Sequence, residues 1–502
     1  MRERITYVQK LGDSLEPSSV TVKPDSISGP EVNAVREDRL TIAFHELPSE
    51  LQTLIRDVRD LHVRWVSTTP YESVDPLLAR LPPGFHVLLS PPNEAPEKLC
   101  PALRKIFGGI SCILSESFTS LPKNGFQYYQ QLDSLSHFIQ YAKDQLCRAT
   151  DTSCFARLDD LSRASSLDIS TDPVLEVLKI TAVWPYQRQP VLATSRPKIR
   201  TEVGILSNDK PQTLEQHELG ISGILTVLGQ DSKPSPTMFT FASRHRNAES
   251  TFSAQFLTPT GLHPILQLHL SSPNPPPLSS SENDSTSCSP YAYITLPRTI
   301  FADKYQLADP LFLASKNLTS LRHITQPVDL EAPEYVMPQW GSSILVQLSP
   351  PGIGPHSSQT GEPSEWTAQI PLHLRYLTPT SGGHSTIQVP YPAVFWACEP
   401  QEGVNFPPNP FEKGRVGYDA LFEEGTVFWH VEPRPADGSS RLVNEVRVPV
   451  LDLDRAGWVN AGTAAAVMLG FAWVVWKLLG VWWREGYGAR AEGRGVEVKK
   501  RQ

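Results

Sequence analysis

The chain has 502 residues, of which 40% are hydrophobic, and a formal net charge of −8. This length is too great for one ordinary core and predicts two or three folded units. The mildly acidic net charge argues against a protein whose main role is to bind nucleic acid. The 47 prolines favour edge strands and loops, because proline breaks helix interiors and central strands.

Residues 1–190 are predicted to form a mixed α/β N-terminal extension domain. Two sets of apolar residues recur at helical spacing, namely Leu51, Leu54, Ile55, Val58 and Leu61, and Leu132, Leu135, Phe138, Ala142 and Leu146. Short apolar runs at 40–44 and 86–89 are typical of strands. The opening residues contain no apolar run of the kind that a cleavable signal peptide needs, so none is expected.

Residues 191–455 are predicted to form a β-rich domain. Ile370, Leu372, Leu374 and Tyr376 alternate with Pro371, His373 and Arg375, as in a half-buried strand. Further strands are predicted at 265–270, 291–296, 344–348, 426–431 and 446–451. Proline-rich loops at 273–289 and 349–364 separate several of them. The fold class expected is therefore mainly β, with a β-sandwich or jelly-roll-like domain after the mixed α/β domain.

Cysteine usage leaves the redox chemistry open. The six cysteines are Cys100, Cys112, Cys147, Cys154, Cys288 and Cys398. None of them forms a Cys-x-x-Cys pair, which argues against a zinc site. An even number is compatible with disulfides in an oxidising compartment, but the spacing does not choose a pairing.

A single transmembrane helix is predicted at 458–483. Residues 459–476 carry no charge, and about 20 helical residues cross a hydrocarbon core of roughly 30 Å. Trp458, Trp482 and Trp483 fit the aromatic belts of the two interfaces. Lys477 lies close enough to the C-terminal boundary for its ammonium group to reach the interface.

One face of this helix carries small residues. Gly462, Ala466 and Gly470 recur every four positions, so they are predicted to form a face that docks against other transmembrane helices. The alternative is that glycine and alanine are simply frequent in membrane spans.

The flanks of the span predict its orientation. The tail, 484–502, holds six basic residues against three acidic ones, so this side is predicted to be cytosolic and the N-terminal bulk lumenal. Lys499 and Lys500 resemble the dilysine retrieval signal of endoplasmic-reticulum membrane proteins, although a basic tail also produces adjacent lysines by chance. Asn283 and Asn317 begin N-glycosylation sequons and agree with this topology.

Catalytic patterns are sparse. The sequence contains no GxSxG, HExxH, P-loop or dinucleotide fingerprint. Asp452 and Asp454 form an Asp-x-Asp, a pattern by which many nucleotide-sugar glycosyltransferases hold a divalent metal. Their position just before the span, outside any nucleotide-binding unit, favours a solvated pair of carboxylates. His263 and His269 are interpreted as core or surface histidines, and no catalytic residue, metal or cofactor is predicted.

Five longer motifs carry a resemblance to a known family. They are YAYITLPRTIFADKYQL (291–307), FLASKNLT (312–319), PVDLEAP (327–333), LHLRY (372–376) and PYPAVFWAC (390–398). In these residues the chain resembles the PIG-X family, specifically its filamentous-fungal members, which also share the opening MRERITY (1–7) and a long N-terminal extension. The part shared with the wider family runs from about residue 202 to the span.

The resemblance implies a function that the residues alone do not give. PIG-X proteins are accessory subunits of glycosylphosphatidylinositol mannosyltransferase I in the endoplasmic-reticulum membrane. That enzyme adds the first mannose to the anchor precursor. Its catalytic subunit is a separate polytopic protein, of the PIG-M type, which the accessory subunit stabilises. The family supplies no catalytic residue to transfer to this chain.

Two other functions are weighed against this one. The first is a general lumenal chaperone for the folding or stability of endoplasmic-reticulum membrane glycoproteins. The second is an enzyme in its own right, with Asp452 and Asp454 binding a metal.

Overall fold

The computed structural model divides the chain into two compact units. It describes residues 1–486 apart from 14, 59, 91–94, 123–124, 197, 210–213, 215–217, 277–287, 326–328, 352–364, 400–405, 408, 412–415 and 437–438. The first unit comprises Met1–Tyr376 and Thr386–Val448, and the second comprises Leu377–Ser385 and Pro449–Gln502.

The first unit contains a sheet of twelve strands. They are β1 Arg2–Gln9, β2 Thr21–Val22, β3 Ser26–Ala43, β4 Asp60–Val66, β5 Gly84–Ser90, β6 Thr119–Leu121, β7 Gly125–Gln130, β8 Ser166–Asp172, β9 Val177–Thr194, β10 Arg200–Asp209, β11 Glu218–Val227 and β12 Ser235–Ala242. Their order is β12-β11-β10-β1-β3-β9-β8-β4-β5-β7-β6, and β2 pairs with β3. Neighbours are antiparallel except β1 and β10, which run parallel.

A second sheet in this unit has eight strands. They are β13 His245–Phe256, β14 Ile265–Leu270, β15 Cys288–Pro297, β17 Leu318–Ile324, β18 Gly341–Leu348, β19 Trp366–Pro371, β22 Ala393–Cys398 and β23 Val427–Pro433, in the order β17-β18-β15-β22-β23-β13-β14-β19. Two small sheets pair β16 Ile300–Phe301 with β20 His373–Leu374, and β21 His384–Pro390 with β24 Val443–Pro449.

Helices are few and most of them precede residue 161. They are α1 Ser49–Asp57, α2 Ala95–Phe107, α3 Ser136–Leu146, α4 Thr152–Asp160, α5 Pro310–Ala314 and α6 Ala456–Glu485. The predicted fold class is confirmed: the chain is mainly β with several sheets, mixed with helices near its N-terminus, and has one apolar C-terminal helix. The division at residue 190 stays a prediction. Strand β9 continues across that position, and β10–β12 belong to the first sheet.

The helices α2 and α3 cover one end of the first sheet. Phe107 on α2 packs against Phe85 of β5, with ring centroids 4.6 Å apart, and stacks on Phe138 of α3 at 5.2 Å. These residues belong to one buried cluster that also contains Trp65 and Val87. Phe138, which belongs to the apolar set predicted at helical spacing, is therefore buried as amphipathic packing requires.

Two helices are shorter than the sets of apolar residues that predicted them. Helix α1 ends at Asp57, so Val58 is its C-terminal cap and Leu61 lies in β4. Helix α3 starts at Ser136, and Leu132 precedes it. An apolar residue at helical spacing can equally face the same core from a neighbouring strand, because burial alone produces the pattern.

An aromatic core lies against the second sheet. Phe395 of β22 is fully buried, with ring centroids 4.6 Å from Tyr418 and 5.4 Å from Phe428. Tyr293 of β15 joins the same cluster. Most predicted strands of this region are present, and β14 has the predicted bounds 265–270.

The strand predicted across 370–376 is wrong in its second half. Strand β19 ends at Pro371, and β20 contains only two residues. Arg375 is 5% exposed and Tyr376 is 74% exposed, the reverse of the predicted alternation. The reason is that the Arg375 guanidinium lies 4.5 Å from the ring centroid of Phe301 and donates to the carbonyl oxygen of Ala332 at 2.8 Å.

All six cysteines are paired in three disulfides. Cys100 bonds to Cys112, Cys147 to Cys154, and Cys288 to Cys398. The last bond joins directly opposite residues of β15 and β22. The structure thus supplies the pairing that the sequence leaves open.

Candidate functional site

The second unit consists largely of helix α6. The helix at Leu453–Arg484 is long and apolar enough to cross a membrane, and none of its apolar 18-residue window is buried by the rest of the described chain. Its 32 residues extend about 48 Å at 1.5 Å per residue, more than a hydrocarbon core of roughly 30 Å. An apolar helix that its own protein leaves uncovered requires an apolar environment from elsewhere.

Aromatic and basic side chains mark the ends of α6. Trp458 and Trp483 are exposed. The Lys477 ammonium lies 5.6 Å from the ring centroid of Trp473 and 5.7 Å from that of Trp476. Both rings lie on the N-terminal side of Lys477, so the ammonium packs on aromatic rings of its own helix, and its reach to the C-terminal interface stays a prediction.

The predicted docking face is open in the structure. Gly462, Ala466 and Gly470 lie in α6 and are exposed. A Cβ atom added to Gly462 or Gly470 would meet no atom within 4 Å in the described part of the chain. A second helix backbone can therefore approach this face closely, although docking itself stays a prediction.

Asp452 has a structural role at the start of α6. Its Oδ1 accepts from the backbone N–H of Asp454 at 3.0 Å and from that of Gly382 at 3.2 Å. Its Oδ2 lies 3.6 Å from Nε of Arg455. Asp452 thus caps the short 3-10 turn Leu453–Arg455 and holds the 377–385 segment against it.

Metal binding finds no support at this position. Within the described ranges, no group of three or more His, Cys, Asp or Glu side chains could hold a metal ion. The contacts of Asp452 give this aspartate a structural role that requires no metal.

The predicted modification and retrieval residues fall in different places. Asn317 lies between α5 and β17 in an exposed turn with φ of 55°. Its side-chain Nδ2 donates to the carbonyl oxygen of Thr367 at 2.7 Å, so the amide that a glycan would modify is engaged in the folded chain. Asn283, Lys499 and Lys500 lie outside the described residues, and all four assignments stay predictions.

A buried polar cluster in the first sheet went unpredicted. Nε2 of His62 lies 3.0 Å from Oδ1 of Asp168, and Nε of Arg64 lies 3.4 Å from the same oxygen. The three residues occupy the adjacent strands β4 and β8 and are buried. Because all three side chains are almost fully buried and lie within ion-pair distance of one another, this geometry supports a structural role.

Two histidines pair across the second sheet. Nδ1 of His245 lies 2.9 Å from Nε2 of His430, on the parallel strands β13 and β23. Burial, reinforced by His245, holds the pKa of His430 well below its ordinary value. His430 is therefore neutral near pH 7, and the long-range pairing of the two strands brings the two rings together.

The first unit also contains a cleft of about 770 Å³ beside β1, β9 and α4. Its walls carry compensating charges: Arg36 pairs with Asp38 at 2.5 Å and stacks 4.6 Å from Trp184, and Arg157 pairs with Glu3. Burial raises the pKa of Asp38 despite the adjacent guanidinium. These paired charges stabilise the wall and leave little unmatched charge for a ligand.

Comparison with known proteins identifies the chain. The family model described as PIG-X / PBN1 matches residues 259–479. "Protein pbn1" from Neurospora crassa is 58% identical over 498 residues, which cover 97% of both chains. The chain belongs to the PIG-X/PBN1 family. The resemblance inferred from the five motifs is thereby confirmed.

Other fungal members of the PIG-X/PBN1 family match over similar lengths. "Protein PBN1" from Gibberella zeae is 47% identical and covers 96% of each chain, and "Protein pbn1" from Emericella nidulans is 37% identical and covers 95%. The family match at 259–479 leaves out the first sheet, whereas these relatives include it. The first sheet therefore belongs to the part shared with the fungal relatives.

Membership of the PIG-X/PBN1 family supports a coarse function. It supports an accessory role in glycosylphosphatidylinositol-anchor biosynthesis and association with the endoplasmic reticulum, and it implies a partner in the mannosyltransferase complex. Helix α6 is consistent with anchoring by a single membrane span.

Proposed function

We propose that this protein is the non-catalytic accessory subunit of the mannosyltransferase that adds the first mannose to glycosylphosphatidylinositol-anchor precursors. It binds and stabilises the polytopic catalytic subunit, which is of the PIG-M type. The observation that carries the proposal is the identity of 58% over 97% of the chain with a curated member of the PIG-X/PBN1 family. Helix α6, which the described chain leaves uncovered, supports it.

The proposed topology places the N-terminal bulk in the lumen and the C-terminus in the cytosol. Three disulfides that use every cysteine agree with an oxidising compartment. The basic excess at 484–502 agrees with a cytosolic tail.

Stabilisation follows from binding. A subunit that binds only the folded form of its partner shifts the partner's folding equilibrium by mass action, without any chemistry of its own. The small-residue face of α6 offers close packing to a transmembrane helix of that partner. The first unit supplies a large, disulfide-linked body for contacts outside the bilayer.

Co-purification in mild detergent tests this proposal. We expect the protein to co-purify with a multi-span mannosyltransferase, and depletion to cause accumulation of the anchor precursor that lacks its first mannose. Recovery of the protein alone, from membranes in which that enzyme is intact, would contradict the proposal. Loss of many unrelated membrane glycoproteins, without a specific mannosylation defect, would instead support the general chaperone.

A further inference from the structure

Four separate segments of the first unit meet at the short strand β20. The backbone N–H of Leu374 donates to the carbonyl oxygen of Leu262 at 3.0 Å, and Nε2 of His373 lies 3.0 Å from Oε1 of Gln306. Just after β20, the carbonyl oxygen of Tyr376 accepts from the N–H of Glu334 at 3.0 Å. These contacts bring residues distant in sequence to one place on the surface.

Each of these segments exposes a large apolar or aromatic side chain. The exposed fractions lie between 52% and 74% for Leu262, Tyr305, Tyr335, Val336 and Tyr376, which we call the β20 patch. Single exposed apolar residues are ordinary on a protein surface. Five of them on neighbouring segments indicate an interaction surface.

A short length of chain connects the β20 patch to the segment that is hydrogen-bonded to the start of the membrane-spanning helix. Tyr376 is followed directly by the 377–385 segment. Within that segment, Thr380 donates its N–H to the carbonyl oxygen of Leu451 at 3.2 Å and accepts from the N–H of Leu453 at 3.2 Å. The candidate membrane-spanning helix begins at Leu453. Four residues of extended chain, at most about 14 Å, therefore separate Tyr376 from Thr380, which is hydrogen-bonded to the first residue of that helix.

The residue types of the patch suit the edge of a bilayer. Three of its five members are tyrosines, whose rings are apolar and whose hydroxyl groups remain hydrated. Tyrosine is enriched at membrane–water interfaces, a layer about 5–7 Å deep on each side of the hydrocarbon core. Beside the patch, the Lys304 ammonium lies 5.0 Å from the ring centroid of Tyr305, and a cation there can approach lipid phosphates.

We propose that the β20 patch is a lipid-binding surface that inserts its tyrosines into the interfacial layer of the same membrane that α6 spans. This inference rests on the proposed function only in that α6 is a membrane span. It adds a second contact with the bilayer, made by the first unit.

Site-specific fluorescence tests the patch in the full-length protein. Because all six native cysteines are in disulfides, an added cysteine is the single free thiol. Tyr376→Cys and Tyr335→Cys are labelled separately with an environment-sensitive nitrobenzoxadiazole probe. Val174→Cys, exposed in the turn between β8 and β9, is the matched control, and Val467→Cys reports on α6. Each protein is reconstituted into phosphatidylcholine vesicles that carry a nitroxide near the headgroup end of an acyl chain.

We expect blue-shifted emission at both patch positions, with quenching at least twofold greater than at Val174. Quenching at Val467 with patch positions that match Val174 would overturn the β20 proposal and leave the proposed function intact. A blue shift without lipid quenching would also overturn it, because protein would then cover the patch. Absence of quenching at Val467 would overturn both, since α6 would not be in the membrane.

Discussion

The body of the first unit and helix α6 are both built from apolar residues, and they use them in opposite ways. Phe395 in the body is fully covered by its own chain, whereas the described chain covers none of the apolar window of α6. The body is therefore stabilised by burial that the chain supplies itself. The helix depends on burial that lipid or another protein must supply. Variants in the body should therefore change folding stability, whereas variants in the helix should change assembly.

Replacing one phenylalanine in each region with alanine should give the largest difference in the free energy of unfolding. Phe395→Ala should lower the free energy of unfolding of the first unit by about 3–5 kcal/mol, because it opens a cavity among Tyr418 and Phe428. Phe471→Ala, which truncates an exposed ring on α6, should leave that value unchanged. Urea unfolding in detergent, followed by tryptophan fluorescence, measures both. Equal losses would mean that the two regions do not differ as described.

Acid should weaken the body and leave the helix unaffected. Burial lowers the pKa of His86 to about 4, so its neutral form is favoured in the folded state. Its contribution is fully present above the unfolded pKa of about 6.5 and is lost as pH falls toward 4. Lowering the pH from 7.5 to 5 should therefore lower the free energy of unfolding by about 2 kcal/mol through this group.

A conservative variant isolates the contribution of His86. Nε2 of His86 lies 2.7 Å from the carbonyl oxygen of Pro82, and His86→Gln keeps a donor for that oxygen. The difference between wild type and His86→Gln should therefore depend on pH, with the wild type losing more stability in acid. Parallel pH profiles would show that His86 titrates alike in both states.

The small-residue face of α6 should affect assembly alone. Gly462→Leu with Gly470→Leu should lower partner recovery in co-purification about tenfold, since the larger side chains hold helix backbones apart. Val467→Leu, on an adjacent part of the helix surface, is the matched control. The unfolding free energy of the first unit should stay at the wild-type value. Unchanged recovery would indicate that the first unit, and not α6, makes the main contact with the partner.

The smallest expected effect lies at the start of α6. Asp452→Ala should destabilise the cap locally by about 1 kcal/mol, whereas Asp452→Asn keeps an oxygen acceptor and should remain close to wild type. Hydrogen exchange of the Gly382 and Asp454 amides measures this difference. A complete loss of function in Asp452→Asn with Asp454→Asn would instead favour the metal-binding enzyme.

Local features of the sequence predicted local features of the fold well. Alternation and turn residues located β14 to the residue, and the uninterrupted apolar run located α6. The same reasoning misplaced Leu61 and Tyr376. Arg375 is buried beside Phe301. No pattern in the neighbouring residues predicts that this guanidinium stacks on an aromatic ring.

Contacts between residues distant in the chain could not be predicted from the sequence. The His245–His430 contact joins residues 185 positions apart, and the engagement of the Asn317 amide depends on a carbonyl oxygen 50 positions away. The family resemblance supplied the function, because long motifs carry information that spacing and composition do not. The β20 patch also required coordinates, since its members come from four segments.

Strand β1 lies between two other strands of the first sheet, and this position determines when its pairing can be completed during biosynthesis. This strand pairs with β3 on one side and, in parallel, with β10 on the other. Because β1 is made before β10, it keeps one edge unfilled until a partner almost 200 residues later has been made. At about 5–20 residues per second that delay is roughly 10–40 s. During that interval the nascent chain presents an open strand edge, which makes early synthesis the period when this protein most needs protection from aggregation.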